Sequence, residues 1–166
     1  MSNCKSAYFA GGCFWCITPV FKETPGVQNV ISGYSGGLET APTYEDVKYQ
    51  RTGHRETIRI DYSPDQVSFE TLLQLFLDSV DPFDAGGQFI DRGHSYTLAI
   101  YPTDESQRIS AETAIRQLEV RSGRSVCISV ETFTNFYSAE EEHQDYYLKH
   151  PTEFRQELIS SGRIKT

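Results

Sequence analysis

The stretch Glu56-Thr57-Ile58-Arg59-Ile60-Asp61-Tyr62 limits the possible folds more than any other part of the chain. Ile58, Ile60 and Tyr62 alternate with Thr57, Arg59 and Asp61, and a period of two makes a strand with one face buried. Such a strand needs a covering layer. After the Ser63-Pro64-Asp65 turn, Ser68 to Ser79 carries Phe69, Leu72, Leu73, Phe76 and Leu77 at helical spacing, with Ser68 as N-cap and Asp81-Pro82 as stop. Tyr62, Phe69 and Phe76 are thereby assigned to packing. Upstream, Lys5 to Ala10 reads as a strand ending at Gly11-Gly12, Phe14 to Lys22 as a helix, and Val27 to Tyr34 as a second strand. Pro19 is awkward inside that helix, because it lacks an N–H and crowds the carbonyl four residues back. A late start or a kink is expected there.

Downstream, a glycine-rich loop runs from Asp84 to Gly93 and Tyr96 to Tyr101 reads as a strand. Ser106 to Val120 reads as an amphipathic helix and Val126 to Glu131 as a strand. Ser138-Ala139-Glu140-Glu141 reads as a capping box opening a last helix, with the acidic run from Glu140 to Glu142 favoured by the helix dipole. The order predicts an α+β fold, a two-layer α/β sandwich with a ferredoxin-like, split βαβ core. Residues 1–166 are expected to form one domain.

Fifteen Lys and Arg stand against 23 Asp and Glu, a net charge of −8. That argues against a nucleic-acid or anionic-membrane partner, since both need a basic face. No stretch reaches the ~18 apolar residues of a membrane helix. The apolar-and-small run from Ala7 to Ile17 has no basic flank followed by a cleavage site, so no signal peptide is expected. Four cysteines at positions 4, 13, 16 and 127 do not resemble a disulfide scaffold. A cytoplasmic protein with reduced thiols is expected. In that setting a C-x-x-C pair is more often catalytic or metal-binding than structural.

Gly12-Cys13-Phe14-Trp15-Cys16 places Cys13 where a strand turns into a helix, so the orphan N–H groups of the first turn face it. The helix dipole favours a thiolate there by about 0.3–1 kcal/mol, and a second thiol three residues on is expected to lower the pKa further. Cys13 is a candidate nucleophile and Cys16 a candidate resolving thiol. Other readings remain open on these residues alone. A zinc module needs four ligands, and the second C-x-x-C is absent, with His54, His94, His143 and His150 scattered. A thioredoxin-like dithiol oxidoreductase also carries C-x-x-C after a strand. Two inert, buried cysteines are the plainest reading.

Further motifs narrow the choice. Gly-Gly-Cys-Phe-Trp-Cys around Cys13 resembles the signature of the type A peptide methionine sulfoxide reductases. The resemblance continues in order through Gly33-Tyr34-Ser35-Gly36-Gly37, Pro42-Thr43-Tyr44-Glu45, Thr52-Gly53-His54-Arg55-Glu56, and Gly87-Gln88-Phe89-Ile90-Asp91-Arg92-Gly93 with Tyr96. It ends at Ala139-Glu140-Glu141 with His143-Gln144. The resemblance implies that Cys13 attacks the sulfoxide sulfur and that Glu56 is the acid at the oxygen, with Tyr44 and Tyr96 as hydroxyl donors. It implies that Asp91 positions substrate and that Phe14 and Trp15 wall the pocket for the methyl group. His54 is read as structural.

The implied activity is reduction of methionine S-sulfoxide, free or in proteins, with no cofactor or metal, by a monomer. Cys13 becomes a sulfenic acid, which a second thiol converts to a disulfide for thioredoxin to reduce. Cys16 is the expected resolving residue, with Cys4 second and Cys127 expected to be buried in a strand. The tail from Leu158 to Thr166 has no cysteine. An acid at neutral pH requires the Glu56 pKa to rise by about two to three units, which an aromatic, water-excluding pocket can supply. The chain has 20 Tyr and Phe with one Trp to build it from. Two positions depart from many members of the family. Thr18 stands where they have Glu, and Thr97-Leu98 where they have Arg-Ser. Both are expected to alter local hydrogen bonding.

Overall fold

A computed structural model describes residues 4–161. In chain order the elements are β1 (Lys5–Gly11), α1 (Phe14–Lys22), β2 (Val27–Ser35), α2 (Tyr44–Lys48), β3 (Arg55–Tyr62) and α3 (Phe69–Ser79). The short strands β4 (Gly87–Gln88) and β5 (Asp91–Arg92) follow, then β6 (Leu98–Ile100) and α4 (Glu105–Ser122). The chain continues through β7 (Ile128–Val130), β8 (Tyr137–Ser138), α5 (Tyr146–Lys149) and α6 (Pro151–Ser161).

The main sheet has the order β7-β6-β1-β3-β2-β8, and every neighbouring pair is antiparallel except β6 with β7. Its inner four strands, β6-β1-β3-β2, with α1 and α3 as the crossovers, are the split βαβ core expected from the sequence. The period-two strand is indeed central. Ile58 and Ile60 are fully buried in the main core with Phe9, Phe14, Ile17, Phe21, Leu72 and Phe76 of β1, α1 and α3. Tyr62 and Phe69 are buried there too. Ser68 caps α3 by accepting from the Thr71 N–H. On the other face of the sheet a smaller cluster of Ala10, Ala99 and Tyr101 is covered by Tyr8 and Phe133, whose rings stack 4.2 Å apart.

Several expectations need correction. The helix α1 starts at Phe14 and runs through Pro19 without a late start. Pro19 is the sixth residue, so it forfeits only the bond to the Trp15 carbonyl, one turn from the start. Thr18 donates its hydroxyl to the Phe14 carbonyl at 2.6 Å, which gives this departure from the family a local use. Tyr96 is not in a strand. It ends a single 3-10 turn, His94–Tyr96, and β6 begins only at Leu98. Ser138 does not cap a helix but pairs with Gly33 as the edge of the sheet, and the helical segments begin later. Cys127 is half-buried just before β7 rather than inside it. Residues 162–166 of the cysteine-free tail lie outside the described residues.

Gly33 makes that edge possible, because a Cβ there would collide with the Phe136 ring and the Tyr137 carbonyl. Gly33→Ala is therefore expected to cost about 1–3 kcal/mol, the range for overpacking a site with no room. Denaturant unfolding measures it, and an unchanged midpoint would contradict the close approach of β8.

Candidate active site

Antiparallel pairing brings four chain segments to one end of the sheet. β1 runs up to Gly11, so Gly12 and Cys13 emerge there, and β3 starts there with Arg55 and Glu56. β2 ends there, with Tyr34 directly opposite Glu56, and leads to the loop before Tyr44. Leu98 pairs with Gly11, so Tyr96 enters at the same end. Gly12 makes the turn with φ of 83°, a conformation that side chains disfavour, and Cys13 then stands as the N-cap of α1.

The Phe14 N–H donates to Glu56 Oε1 at 3.1 Å, which fixes the carboxyl beside the first turn that carries Cys13. Glu56 is 1% exposed, and its Oε2 is buried with no hydrogen-bond partner among the described residues. Burial pushes its pKa up from 4.5 to about 8, against the Phe14 N–H and with help from the charge of Asp91. At pH 7 it is an acid with a proton to give. Extending the β3 alternation back from Ile58 lands on Glu56. That periodicity is the sequence signal that this carboxyl faces the core.

Tyr96 is buried and Tyr44 half-buried. Burial, then the charge of Glu56, then other neighbours including Asp91 and Cys13 push both phenols up, so both remain O–H donors. Asp91, on the β4–β5 ribbon, acts electrostatically on Cys13, Tyr44, Glu56 and Tyr96. Five of the eight residues named from the sequence, Cys13, Tyr44, Glu56, Asp91 and Tyr96, thus lie close enough to influence one another's charge. Phe14 is fully buried and Trp15 half-buried, their ring centroids 6.3 Å apart.

The ionisation of Cys13 differs from expectation. Its pKa is raised well above the usual thiol value, first by its hydrogen bond to Cys16, then by burial, then by the neighbouring Cys16, Glu56 and Asp91. The helix dipole is worth under about one unit and is outweighed. Cys13 rests as a thiol. Cys16 lies one turn along α1, with its N–H donating to the Cys13 carbonyl at 3.1 Å. Cys4 precedes β1 at the opposite end of the sheet. Seven strand residues span roughly 20 Å, far beyond the ~7 Å between Cα atoms that a disulfide tolerates. Cys4 therefore stands far from Cys13 in this fold.

Three neighbours escaped the sequence reading. The Glu140–Glu142 run does open a helical turn, the 3-10 helix Glu141–His143, but the Glu140 carboxylate also reaches across the fold, accepting from the Tyr34 hydroxyl at 2.9 Å and from the Tyr44 N–H that starts α2 at 3.0 Å. The His143 ring stacks 4.1 Å from Tyr44, and Tyr146 stacks 4.1 Å from Trp15. The motif Ala139-Glu140-Glu141 with His143 was visible, but nothing local says that it folds back over α1. His54 is structural as expected, fully buried, taking the Gly37 N–H at 3.2 Å and meeting the Glu39 carbonyl at 2.7 Å. Among the described residues, no group of three or more His, Cys, Asp or Glu is arranged to hold a metal ion.

Comparison with known proteins gives concordant results. Residues 5–166 match the family model described as peptide methionine sulfoxide reductase. The chain is 46% identical over 160 residues to the peptide methionine sulfoxide reductase MsrA of Bacillus licheniformis, covering 95% of this chain and 88% of the relative. It is 45% identical over 160 residues to that of Bacillus velezensis, covering 95% and 90%. Among solved structures, methionine sulfoxide reductase A of Corynebacterium diphtheriae superposes with a TM-score of 0.81 at 29% identity, over 91% of this chain and 77% of that one.

Proposed function

The chain belongs to the peptide methionine sulfoxide reductase family, and on that premise we propose how its residues reduce methionine S-sulfoxide, free or in proteins. The observation that carries the reading is the buried Glu56 carboxyl, pushed up to about 8 and held by the Phe14 N–H next to Cys13. The Cys13 sulfur attacks the sulfoxide sulfur. As the S=O bond breaks, charge gathers on oxygen, where the Tyr44 and Tyr96 hydroxyls donate and Glu56 gives its proton. Each lost donor of this kind typically costs about 2.7–4 kcal/mol in the barrier. Phe14 and Trp15 wall the methyl group, and Asp91 orients the substrate.

The oxygen passes to Cys13 as a sulfenic acid, and the sulfide leaves as methionine. The thiol proton of Cys13 returns to the Glu56 carboxylate, so the proton count closes. The methionine sulfur gains two electrons and the Cys13 sulfur loses two. The Cys16 thiol then attacks the sulfenic sulfur, releasing water and forming the Cys13–Cys16 disulfide. A thioredoxin-type dithiol returns two electrons and two protons to that pair. The protein works as a single unit in the cytoplasm, in keeping with its reduced thiols. No helix among its described residues is long and apolar enough to cross a membrane.

A stereo-resolved assay tests this reading. Methionine S-sulfoxide should be consumed with a dithiol reductant while the R epimer is left at least about 100-fold behind. A thioredoxin-like dithiol oxidoreductase would instead reduce insulin disulfides equally well without Glu56, and that result would replace the proposal.

A further inference from the structure

On the face of β3 opposite the active site lies a buried guanidinium that the mechanism above does not use. Arg55 and Glu56 are consecutive strand residues, so their side chains point to opposite faces. Arg55 donates from Nε to Thr97 Oγ1 at 2.8 Å, and from Nη1 to Glu131 Oε2 at 2.7 Å and to the Tyr101 hydroxyl at 3.0 Å. Glu131 Oε2 also accepts from the Ser129 hydroxyl at 2.7 Å. The Tyr101 hydroxyl donates onward to the Ser35 carbonyl at 3.4 Å. One cation therefore ties together β3, the end of β2, the start of β6 and the segment after β7.

Thr97 is the informative member. Its hydroxyl accepts from Arg55 and donates to the His94 carbonyl at 2.6 Å. Gly93 and Thr97 flank the 3-10 turn His94–Tyr96 that delivers Tyr96 to the site, and the Thr97 N–H also closes onto the His94 carbonyl at 3.0 Å. The residue after Tyr96 is thus held on both sides, by its own turn and by the strand that carries Glu56. This gives the second departure from the family, Thr97, a physical account.

We infer that Arg55, Thr97 and Glu131 form a clamp that sets the Tyr96 hydroxyl against Glu56, making all three positioning residues. The inference rests on the reading that Tyr96 donates to the sulfoxide oxygen. A hydroxyl donor stabilises developing charge only when it is already placed, and a displacement near 1 Å is enough to cost roughly two orders of magnitude. On the active-site side the turn is anchored through Ser95, which bonds the Gln50 amide at 2.7 and 3.1 Å, and through His94 at the Gly53 carbonyl. The clamp adds the hold on Thr97, next to Tyr96, from behind the sheet.

Thr97→Val keeps the shape and removes both hydroxyl bonds, whereas Thr97→Ser keeps the hydroxyl. Arg55→Ala is less informative, because it strands Glu131 and disturbs folding. With methionine S-sulfoxide and a dithiol reductant, Thr97→Val should lower kcat about tenfold with KM within about twofold, and Thr97→Ser should stay near the parent protein. In a Tyr96→Phe background, adding Thr97→Val should change kcat less than about twofold, since the group being positioned is gone. Parent-level kcat in Thr97→Val, or the same tenfold drop persisting without the Tyr96 hydroxyl, overturns the clamp. If Tyr96→Phe alone keeps full activity, the assigned role of Tyr96 falls first and the purpose of the clamp with it.

Discussion

Glu56→Gln is expected to slow methionine S-sulfoxide reduction by about 10²–10⁴-fold, the usual contribution of a positioned acid. The amide still accepts the Phe14 N–H, so the turn at Cys13 is kept and Cys13 should remain open to slow alkylation. What disappears is the proton. In the parent protein the rate should fall as pH rises through about 8, where Glu56 ionises. The variant should lack that limb. Full activity in Glu56→Gln would falsify the assignment of the acid.

The same substitution should act in the opposite direction on stability. Below the unfolded pKa near 4.5 both states hold the proton, and Glu56 adds no pH dependence. Between 4.5 and about 8 the folded state keeps a proton that the unfolded state has released, so stability falls as pH rises. The total loss is on the order of 5 kcal/mol, complete above about pH 8. Glu56→Gln carries no charge to bury. Its stability relative to the parent should therefore climb by several kcal/mol between pH 5 and pH 9, read by denaturant unfolding at both. Equal pH dependence in the two proteins would mean that Glu56 is not held neutral by burial. Activity and stability pull apart at this residue because a carboxyl kept from water is useful only while it stays protonated.

Cys16→Ser is the second large effect. One equivalent of methionine should form per enzyme, after which turnover with a thioredoxin-type reductant stops. The Cys13 sulfenic acid, left without its neighbour, should be trapped by a carbon nucleophile and seen by mass mapping. Cys13→Ser should abolish even the first equivalent. Cys4→Ser should leave turnover intact, because β1 separates Cys4 from the site by its whole length. Sustained turnover in Cys16→Ser, or a Cys4–Cys13 bridge in the oxidised parent, would overturn the pairing. A second consequence concerns the resting thiol. Since Cys13 is hydrogen-bonded to Cys16 and buried, its alkylation at pH 7 should be slower than that of the exposed Cys4.

Much of the site was legible because its signals are local. The i, i+3 spacing of Cys13 and Cys16 on a helix start puts the two thiols one turn apart whatever surrounds them. The alternation from Ile58 to Tyr62 announced a half-buried strand, and the structure makes it the centre of the sheet. Tyr96 shows the limit. Its apolar surroundings suited a strand, yet the polar His94 carbonyl and Thr97 hydroxyl close a turn instead. Glu140 shows another. An acidic residue after a serine has the pattern of a helix cap, but its partners are Tyr34 and Tyr44, 106 and 96 residues away.

By itself, then, the sequence determined the split βαβ order, the thiol pair and, through the ordered motifs, the family. Those depend on spacing along the chain. Only the tertiary structure decided that Glu56 is buried, which pushes its pKa up to about 8, that Cys13 is buried against Cys16, which pushes its thiol pKa up, and that Cys4 lies at the far end of β1. It alone brought the Arg55 guanidinium onto the Thr97 hydroxyl, next to Tyr96 in the chain. Desolvation and charge are sums over neighbours that folding gathers from distant parts of the chain. No window of the sequence contains them.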